Sequence, residues 1–397
     1  MRAYDLEASG DGGREGALPR CARLAPMSLS LPADPPRART LTRVVPEMSA
    51  ALDGASEWFA PARSAIVWVL DGLGVHNLAQ RAGHARFLAE ARTKRDAART
   101  VFPSTTAAAL TSLLTGTLPG EHGIVGYRAR VPGTDDIVNQ LRGWDTDGLP
   151  LTFQRAAPLP TTLGRPFFAV SRSEYAGTGF TAATLGGAEF HAADDLDDRV
   201  RTAADLAARN PGSLVYLYAP DLDAVGHRRG WESDEWVATL ERVDAAARTL
   251  SGALDRGTGV VVTSDHGMID VPRHRHVLLQ DGDVLVDGVR LIGGEPRMLH
   301  LYAEPGAADT VLARWREAEA SRSWVVSRDE LIASGLLGDV APEVRERIGD
   351  VVVAPRAGIA YYDDRIADKA PQKMIGQHGS LTDEERTVPL IRLGAFA

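Results

Sequence analysis

Asp265 and His266 stand side by side before Gly267, directly after Ser264 and the apolar run Gly259-Val-Val-Val-Thr263. A carboxylate and an imidazole at the end of a buried strand are costly as structure, because a buried charge needs a partner. They are useful as metal ligands. The pattern recurs. Asp71 ends the run Ser64–Leu70, Asp223 and His227 follow Ser213–Ala219, and His378 stands in Gln377-His378-Gly379. Each residue alone has a plain explanation, since Asp serves turns readily. Asp71, Asp223, His227, Asp265 and His266, each just past an apolar run, point together to a metal site assembled from separated loops.

Thr106 supplies a second kind of chemistry. It precedes Ala107–Leu114, an Ala- and Leu-rich stretch that reads as helix. The free N–H groups and dipole of a helix start favour an anion. A hydroxyl at that point, beside a metal, would ionise more readily and attack phosphorus. On local grounds Thr105 and Thr106 are equivalent, and either also suits a helix cap.

The elements that must position these residues alternate. From Ser64 onward, short apolar runs exchange with helical stretches, the signature of an α/β fold with a doubly wound, mostly parallel sheet. Ligands in such sheets gather at the carboxyl ends of the strands. Residues 37–276 and 352–397 read as the main core, with Gly358–Tyr362 and Val388–Arg392 returning to its sheet. Residues 277–351 read as a small α+β insertion, and residues 1–36 as a disordered extension rich in Gly, Pro and Arg. Met27 is an alternative start. Residues 126–149 are polar and glycine-containing and are expected to cover part of the site, which makes Tyr127, Asn139 and Trp144 candidate substrate contacts.

Composition narrows the function classes. A net charge of −9 over 397 residues argues against nucleic acid as a partner. The single cysteine, Cys21, allows no intrachain disulfide and no multi-cysteine metal site, so any zinc must rely on Asp and His. No run reaches the roughly 20 apolar residues of a membrane helix. The expectation is a soluble, cytoplasmic protein with no membrane partner; the sequence does not read on oligomeric state.

Several segments, in order, resemble the alkaline phosphatase superfamily. They are Val69-Leu-Asp71-Gly, Phe102-Pro-Ser-Thr-Thr106, Leu114-Thr-Gly-Thr-Leu-Pro119, Glu121-His-Gly-Ile124, Pro220-Asp-Leu-Asp223-Ala-Val-Gly-His227, Thr263-Ser-Asp265-His266-Gly-Met268 and Gln377-His378-Gly379. Within the superfamily the likeness is greatest to the nucleotide pyrophosphatase/phosphodiesterase branch. The resemblance implies two zinc ions, with manganese as the alternative metal, and a transiently modified threonine. Asp223, His227 and His378 would hold one zinc; Asp71, Asp265 and His266 would hold the other. Thr106, the nucleophile, would also touch metal. Aligning the family's Thr-Gly on Thr115-Gly116 selects Thr106 over Thr105, and Asp223 ranks above Asp221. Members of the branch carry an asparagine shortly after His-Gly-Ile, where this chain has Tyr127. No arginine can be placed on the phosphate, as a dedicated monoesterase would require.

The function these features imply is a two-zinc phosphohydrolase, a nucleotide pyrophosphatase or phosphodiesterase working through a phospho-threonine, on a small phosphorylated substrate such as a nucleotide. A phosphomonoesterase, phosphonate hydrolase or metal-dependent phosphomutase is the alternative on the same site. A metal-stabilised binding protein without catalysis is the alternative of another class.

Overall fold

The apolar runs become neighbouring strands. The computed structural model describes residues 30–93 and 95–397. Strands β1 (Ser64–Leu70), β2 (Ala97–Arg99), β3 (Phe167–Ser171), β4 (Glu189–Ala192), β5 (Leu214–Ala219) and β6 (Thr258–Thr263) join the C-terminal strand Thr387–Gly394 in a seven-stranded sheet. The order is β2, C-terminal strand, β6, β1, β5, β3, β4. From β6 to β4 every pairing is parallel, and the C-terminal strand runs antiparallel to β6 and β2.

Helices cover both faces. They include α1 (Leu41–Leu52), α2 (Thr106–Thr115), α3 (Gly179–Leu185), α4 (Leu196–Arg209), α5 (Asp221–Arg229) and α6 (Asp234–Ala253). All of β1 is buried, as expected for a central parallel strand. Its side chains alternate between two cores. Ile66, Trp68 and Leu70 pack with Val200 and Ala203 of α4 and with Trp236 and Leu240 of α6. Ala65, Val67 and Val69 pack with Val44 and Met48 of α1 and with Ala108 and Leu113 of α2. This is the doubly wound α/β architecture read from the sequence. Among the described residues, no helix is long and apolar enough to cross a membrane.

A second unit lies between Asp265-His266 and His378. Strands 289–295, 298–303, 351–355 and 323–327 form a four-stranded antiparallel sheet in that order. Its core includes Leu299, Leu301, Val351 and Val353 against Trp315 of the helix Ala308–Glu319. Two sequence expectations are corrected here. Ala360–Asp363 does not return to the main sheet; it pairs in parallel with His276–Leu279. Residues 352–355, expected to belong to the main core, lie in the strand Val351–Pro355 of the second sheet instead. Both are short apolar runs whose partners are set by long-range packing, which periodicity does not encode.

The N-terminal expectation also changes. Residues 1–29, with Cys21 and Met27, lie outside the described residues. Residues 30–36, read as part of a disordered extension, rest on the body of the protein. Asp34 pairs at 2.8 Å with the buried guanidinium of Arg386, and Leu31 packs on an apolar cluster.

Candidate metal centre

Because β6, β1 and β5 are adjacent and parallel, their carboxyl ends share one edge, where loops converge. Asp71 follows β1, and Asp265 and His266 follow β6. Helix α5 begins right after β5 and Pro220, and its residues Asp223 and His227 are one turn apart on one face. His378 arrives from the short strand Gly376–Gln377, which pairs with Ile269–Asp270. Thr106 is in the first turn of α2, after an extended Thr105.

The side chains meet at their tips. His227 Nε2 lies 3.4 Å from Asp223 Oδ1 and 3.3 Å from His378 Nε2. His266 Nε2 lies 3.4 Å from Asp71 Oδ1, 3.3 Å from Asp265 Oδ2 and 3.1 Å from Thr106 Oγ1. The rings of His266 and His378 stack with centroids 3.5 Å apart. Two trios each have ligand atoms within 4.8 Å of one another: Asp223, His227 and His378, and Asp71, Asp223 and His266. Asp223 belongs to both, and Asp265 reaches the second trio through His266.

The donor set fits divalent cations. The Nδ1 atoms of His227, His266 and His378 face the carbonyls of Gly376, Gly267 and Ser104 at 2.8, 3.1 and 2.9 Å. A carbonyl only accepts, so each Nδ1 carries the proton and each Nε2 presents a lone pair. This outer hydrogen bond is the usual support of a metal-binding imidazole. Asp71 Oδ1, Asp223 Oδ1 and Asp265 Oδ2 are buried without hydrogen-bond partners. Acceptors thus face acceptors at 3.3–3.4 Å, an arrangement that costs free energy until a cation sits among them. The same crowding sets the protonation tendencies. Burial, followed by the charges of Asp265 and Asp223, raises the Asp71 carboxyl well above its usual range. Burial, then His266 and His227, pushes His378 well down. Positive charge placed among them would bring the Asp71 carboxyl back down and keep the His378 imidazole neutral, the forms in which both can bind a cation. Oxygen and imidazole nitrogen donors in this mixture suit zinc.

The contacts of the paired candidates differ. Thr106 points its hydroxyl into the cluster, whereas Thr105 is 2% exposed at the helix boundary. Asp221 is held by Arg172 at 2.6 Å and Arg199 at 2.9 Å, so Asp223 is the carboxylate that faces the histidines.

The loops are cross-braced. Asn77 Oδ1 accepts from the backbone N–H groups of Gly74 and Met268, and its Nδ2 donates to the Met268 carbonyl. Ser264 Oγ accepts from Leu73 N–H and donates to the His266 carbonyl. This close approach demands glycine: a Cβ on Gly267 would lie 2.0 Å from the Glu384 carbonyl oxygen. Arg297 of the second unit binds Glu385 through two bonds of 2.9 and 2.7 Å, both side chains fully buried. Glu385 in turn accepts from Ser380 N–H, two residues beyond His378.

A cavity of about 600 Å³ opens on Asp71, Thr106 and Asp223. The segment 126–149 contributes Leu141, Arg142, Asp145 and Thr146 to its wall. The three residues singled out from that segment do not line it, which corrects that reading. Asn139 Oδ1 accepts from the N–H groups of Leu141 and Arg142 and so shapes a turn. Trp144 is buried against Phe180 and donates Nε1–H to the Pro150 carbonyl. Tyr127 donates its backbone N–H to Glu295. His122, in the Glu121-His-Gly-Ile segment, is a buried structural imidazole bonded to Ser112 and to Ile124 N–H. Sequence reasoning missed Tyr218, whose hydroxyl donates to Asp71 Oδ2. Inside an apolar run it reads as one more core residue.

A family model described as type I phosphodiesterase / nucleotide pyrophosphatase matches residues 65–381. An uncharacterized pyrophosphatase/phosphodiesterase of Schizosaccharomyces pombe is 26% identical over 217 residues, which is 52% of this chain and 42% of that protein. The chain spans less than half the length of the curated relatives it matches. Murine ectonucleotide pyrophosphatase / phosphodiesterase 5 has a similar fold, with a TM-score of 0.61 at 17% identity, covering 82% of this chain and 87% of that one. Phosphonoacetate hydrolase from Sinorhizobium meliloti, solved with phosphonoformate, gives 0.64 at 21% identity, covering 84% and 91%.

Proposed function

The chain belongs to the type I phosphodiesterase / nucleotide pyrophosphatase family of the alkaline phosphatase superfamily, and from that premise we propose that it hydrolyses phosphoric diesters or anhydrides through a phospho-threonine at Thr106. The observation that carries the reading is the hydroxyl of Thr106 set 3.1 Å from His266 Nε2, at the rim of two ligand trios that share Asp223.

Asp223, His227 and His378 would hold one cation; Asp71, His266 and Asp265 would hold the other, with Asp223 between them. Two bound divalent cations, zinc by the donor set, would lower the pKa of a nearby hydroxyl and neutralise phosphoryl oxygens. The residues of the chain do the rest. Thr106 is fixed by the first turn of α2, whose free N–H groups face an incoming anion. Its Oγ1 forms a bond to phosphorus while the bond to the ester oxygen breaks. Water then attacks the Thr106 phosphoester, releasing phosphate or a phosphomonoester and restoring the hydroxyl. The cavity beside Thr106 leaves room for a second substituent on phosphorus, which favours a diester or anhydride over a monoester.

The test is Thr106→Ala, with metal content read by mass spectrometry and turnover of bis-p-nitrophenyl phosphate read beside p-nitrophenyl phosphate. The expected result is retained metal and abolished turnover, with Thr105→Ala active. Near-normal activity in Thr106→Ala overturns the mechanism. Wild-type turnover of the monoester alone moves the reading to a phosphomonoesterase.

A further inference from the structure

The second unit reaches the metal cluster through one turn. Pro296-Arg297 joins the antiparallel strands Val289–Glu295 and Met298–Ala303, and Glu295 and Arg297 are both buried. A Cβ on Gly379, the residue after His378, would lie 2.8 Å from Glu295 Oε1. The turn therefore sits directly against the His378 loop. Every nitrogen of the Arg297 guanidinium is engaged. Nε and Nη2 donate to the two carboxylate oxygens of Glu385. Nη1 donates to the carbonyls of Ala357 and Ile359 at 2.8 and 2.7 Å, and Nη2 also to that of Pro355 at 3.0 Å. A forked pair of this kind fixes direction as well as position.

Glu385 lies in the four-residue helix Asp383–Arg386, which leads into the C-terminal strand of the main sheet. Its carboxylate also accepts from Ser380 N–H at 3.0 Å and from the Thr382 hydroxyl at 2.7 Å. Its backbone carbonyl accepts from Gly267 N–H at 2.9 Å. Ser380 passes the constraint on. The Ser380 carbonyl accepts from Ser104 Oγ, which itself accepts from Gly379 N–H, and the Ser104 carbonyl faces His378 Nδ1. Gly267, Ser380 and Ser104 are one or two residues from His266, His378 and Thr106. One residue thus braces the segments of all three, directly or through Ser380. Stability alone gives no reason for a charged pair here, since apolar residues of similar volume often serve as well. What an apolar pair cannot supply is an acceptor for Ser380 N–H.

We propose that Arg297 and Glu385 are positioning residues for the metal centre. Through this pair the second unit sets where the His378 loop stands relative to His227 and Thr106. The inference rests on the reading of the cluster as a two-metal hydrolase site.

The test is the double variant Arg297→Met/Glu385→Leu, which removes both charges together and leaves Ser380 N–H without its acceptor. Arg297→Lys stands beside it, keeping the charge and losing the fork. The metal-free proteins are titrated with cobalt(II), read by visible absorption and by competition with a chelator. In the double variant, retention of one cobalt equivalent should weaken about 10- to 100-fold, the usual worth of an outer hydrogen bond at a metal site. The absorption bands lost should be those that His227→Ala removes, not those that Asp265→Ala removes. Arg297→Lys should show the same change to a smaller degree, and it decides alone if the double variant does not fold. Unchanged cobalt affinity and spectrum overturn the proposal, as does a loss confined to the Asp265-dependent bands. If the wild type itself takes up no cobalt, the two-metal reading fails. Amide exchange of the metal-free proteins then decides: faster exchange at residues 376–382 and 102–106 in the variants supports the proposal, and unchanged exchange overturns it.

Discussion

Tyr218 donates its hydroxyl proton to Asp71 Oδ2, and in doing so aims the other carboxylate oxygen of Asp71 at His266. Both residues are buried. Burial, then the charge of Asp71, raises the Tyr218 hydroxyl well above its usual range, so it stays a neutral donor. Tyr218 is thus a positioning residue for the metal cluster, on a strand that contributes no ligand of its own.

Tyr218→Phe keeps the ring and removes the bond that orients Asp71. Outer hydrogen bonds of this kind are worth roughly 10- to 100-fold in metal affinity. We expect zinc retention against a competing chelator to fall by that order, while the fold, read by circular dichroism, is kept. Unchanged metal affinity would show that the hydroxyl only fills space.

Glu295 gives a stability prediction with a definite sign. Its Oε2 accepts from Tyr127 N–H while Oε1 is buried without a partner. Burial pushes its carboxyl up to about 8. A raised pKa means stability that is fully present below the unfolded value near 4.5 and is lost as pH rises through about 8. Glu295→Gln keeps the acceptor and removes the titration. The variant should be the more stable protein at pH 8, by an amount on the order of a few kcal/mol, and nearly equal to wild type at pH 4.5. Urea midpoints at the two pH values check this.

Two buried histidines away from the cluster act in the opposite sense. His122 is pushed down to about 3 by burial and then by the charge of Arg347. His300 is pushed down to about 4, chiefly by burial. Depressed values mean stability present above the unfolded pKa of 6.5 and lost as pH falls. At pH 5 each should cost about 2 kcal/mol relative to neutral pH. His300→Gln still offers a donor to the Val125 carbonyl and an acceptor to Gly349 N–H. It should therefore remove part of the loss between pH 7 and 5; an identical slope in melting temperature would refute the assignment.

What the sequence discloses follows the range of each interaction. Asp71, Asp265 and His266 were visible because a charged group next to a fully apolar strand is a local anomaly. Asp223 and His227 were visible because they follow the apolar run Ser213–Ala219. Tyr218 was not, because a tyrosine in a buried strand is ordinary until its hydroxyl finds Asp71, 147 residues away. The same limit misplaced Ala360–Asp363, whose pairing with His276–Leu279 depends on how the second unit closes. The cavity wall draws on residues from Asp71 to Ala224, and no stretch of it carries a pattern of its own; from 126–149 it takes Leu141, Arg142, Asp145 and Thr146 rather than Tyr127, Asn139 and Trp144.

The membership of Asp223 in both trios makes the two halves of the cluster electrostatically inseparable. A cation bound at either half would neutralise a carboxylate that the other half also needs, and orient it at the same time. Filling one half would therefore change the field and the geometry met by a second ion. Titration with metal should depart from two independent isotherms, and no substitution at Asp223 can yield a clean one-metal form. The natural way to separate the two halves is through His227 on one side or Asp265 on the other, leaving the shared carboxylate in place.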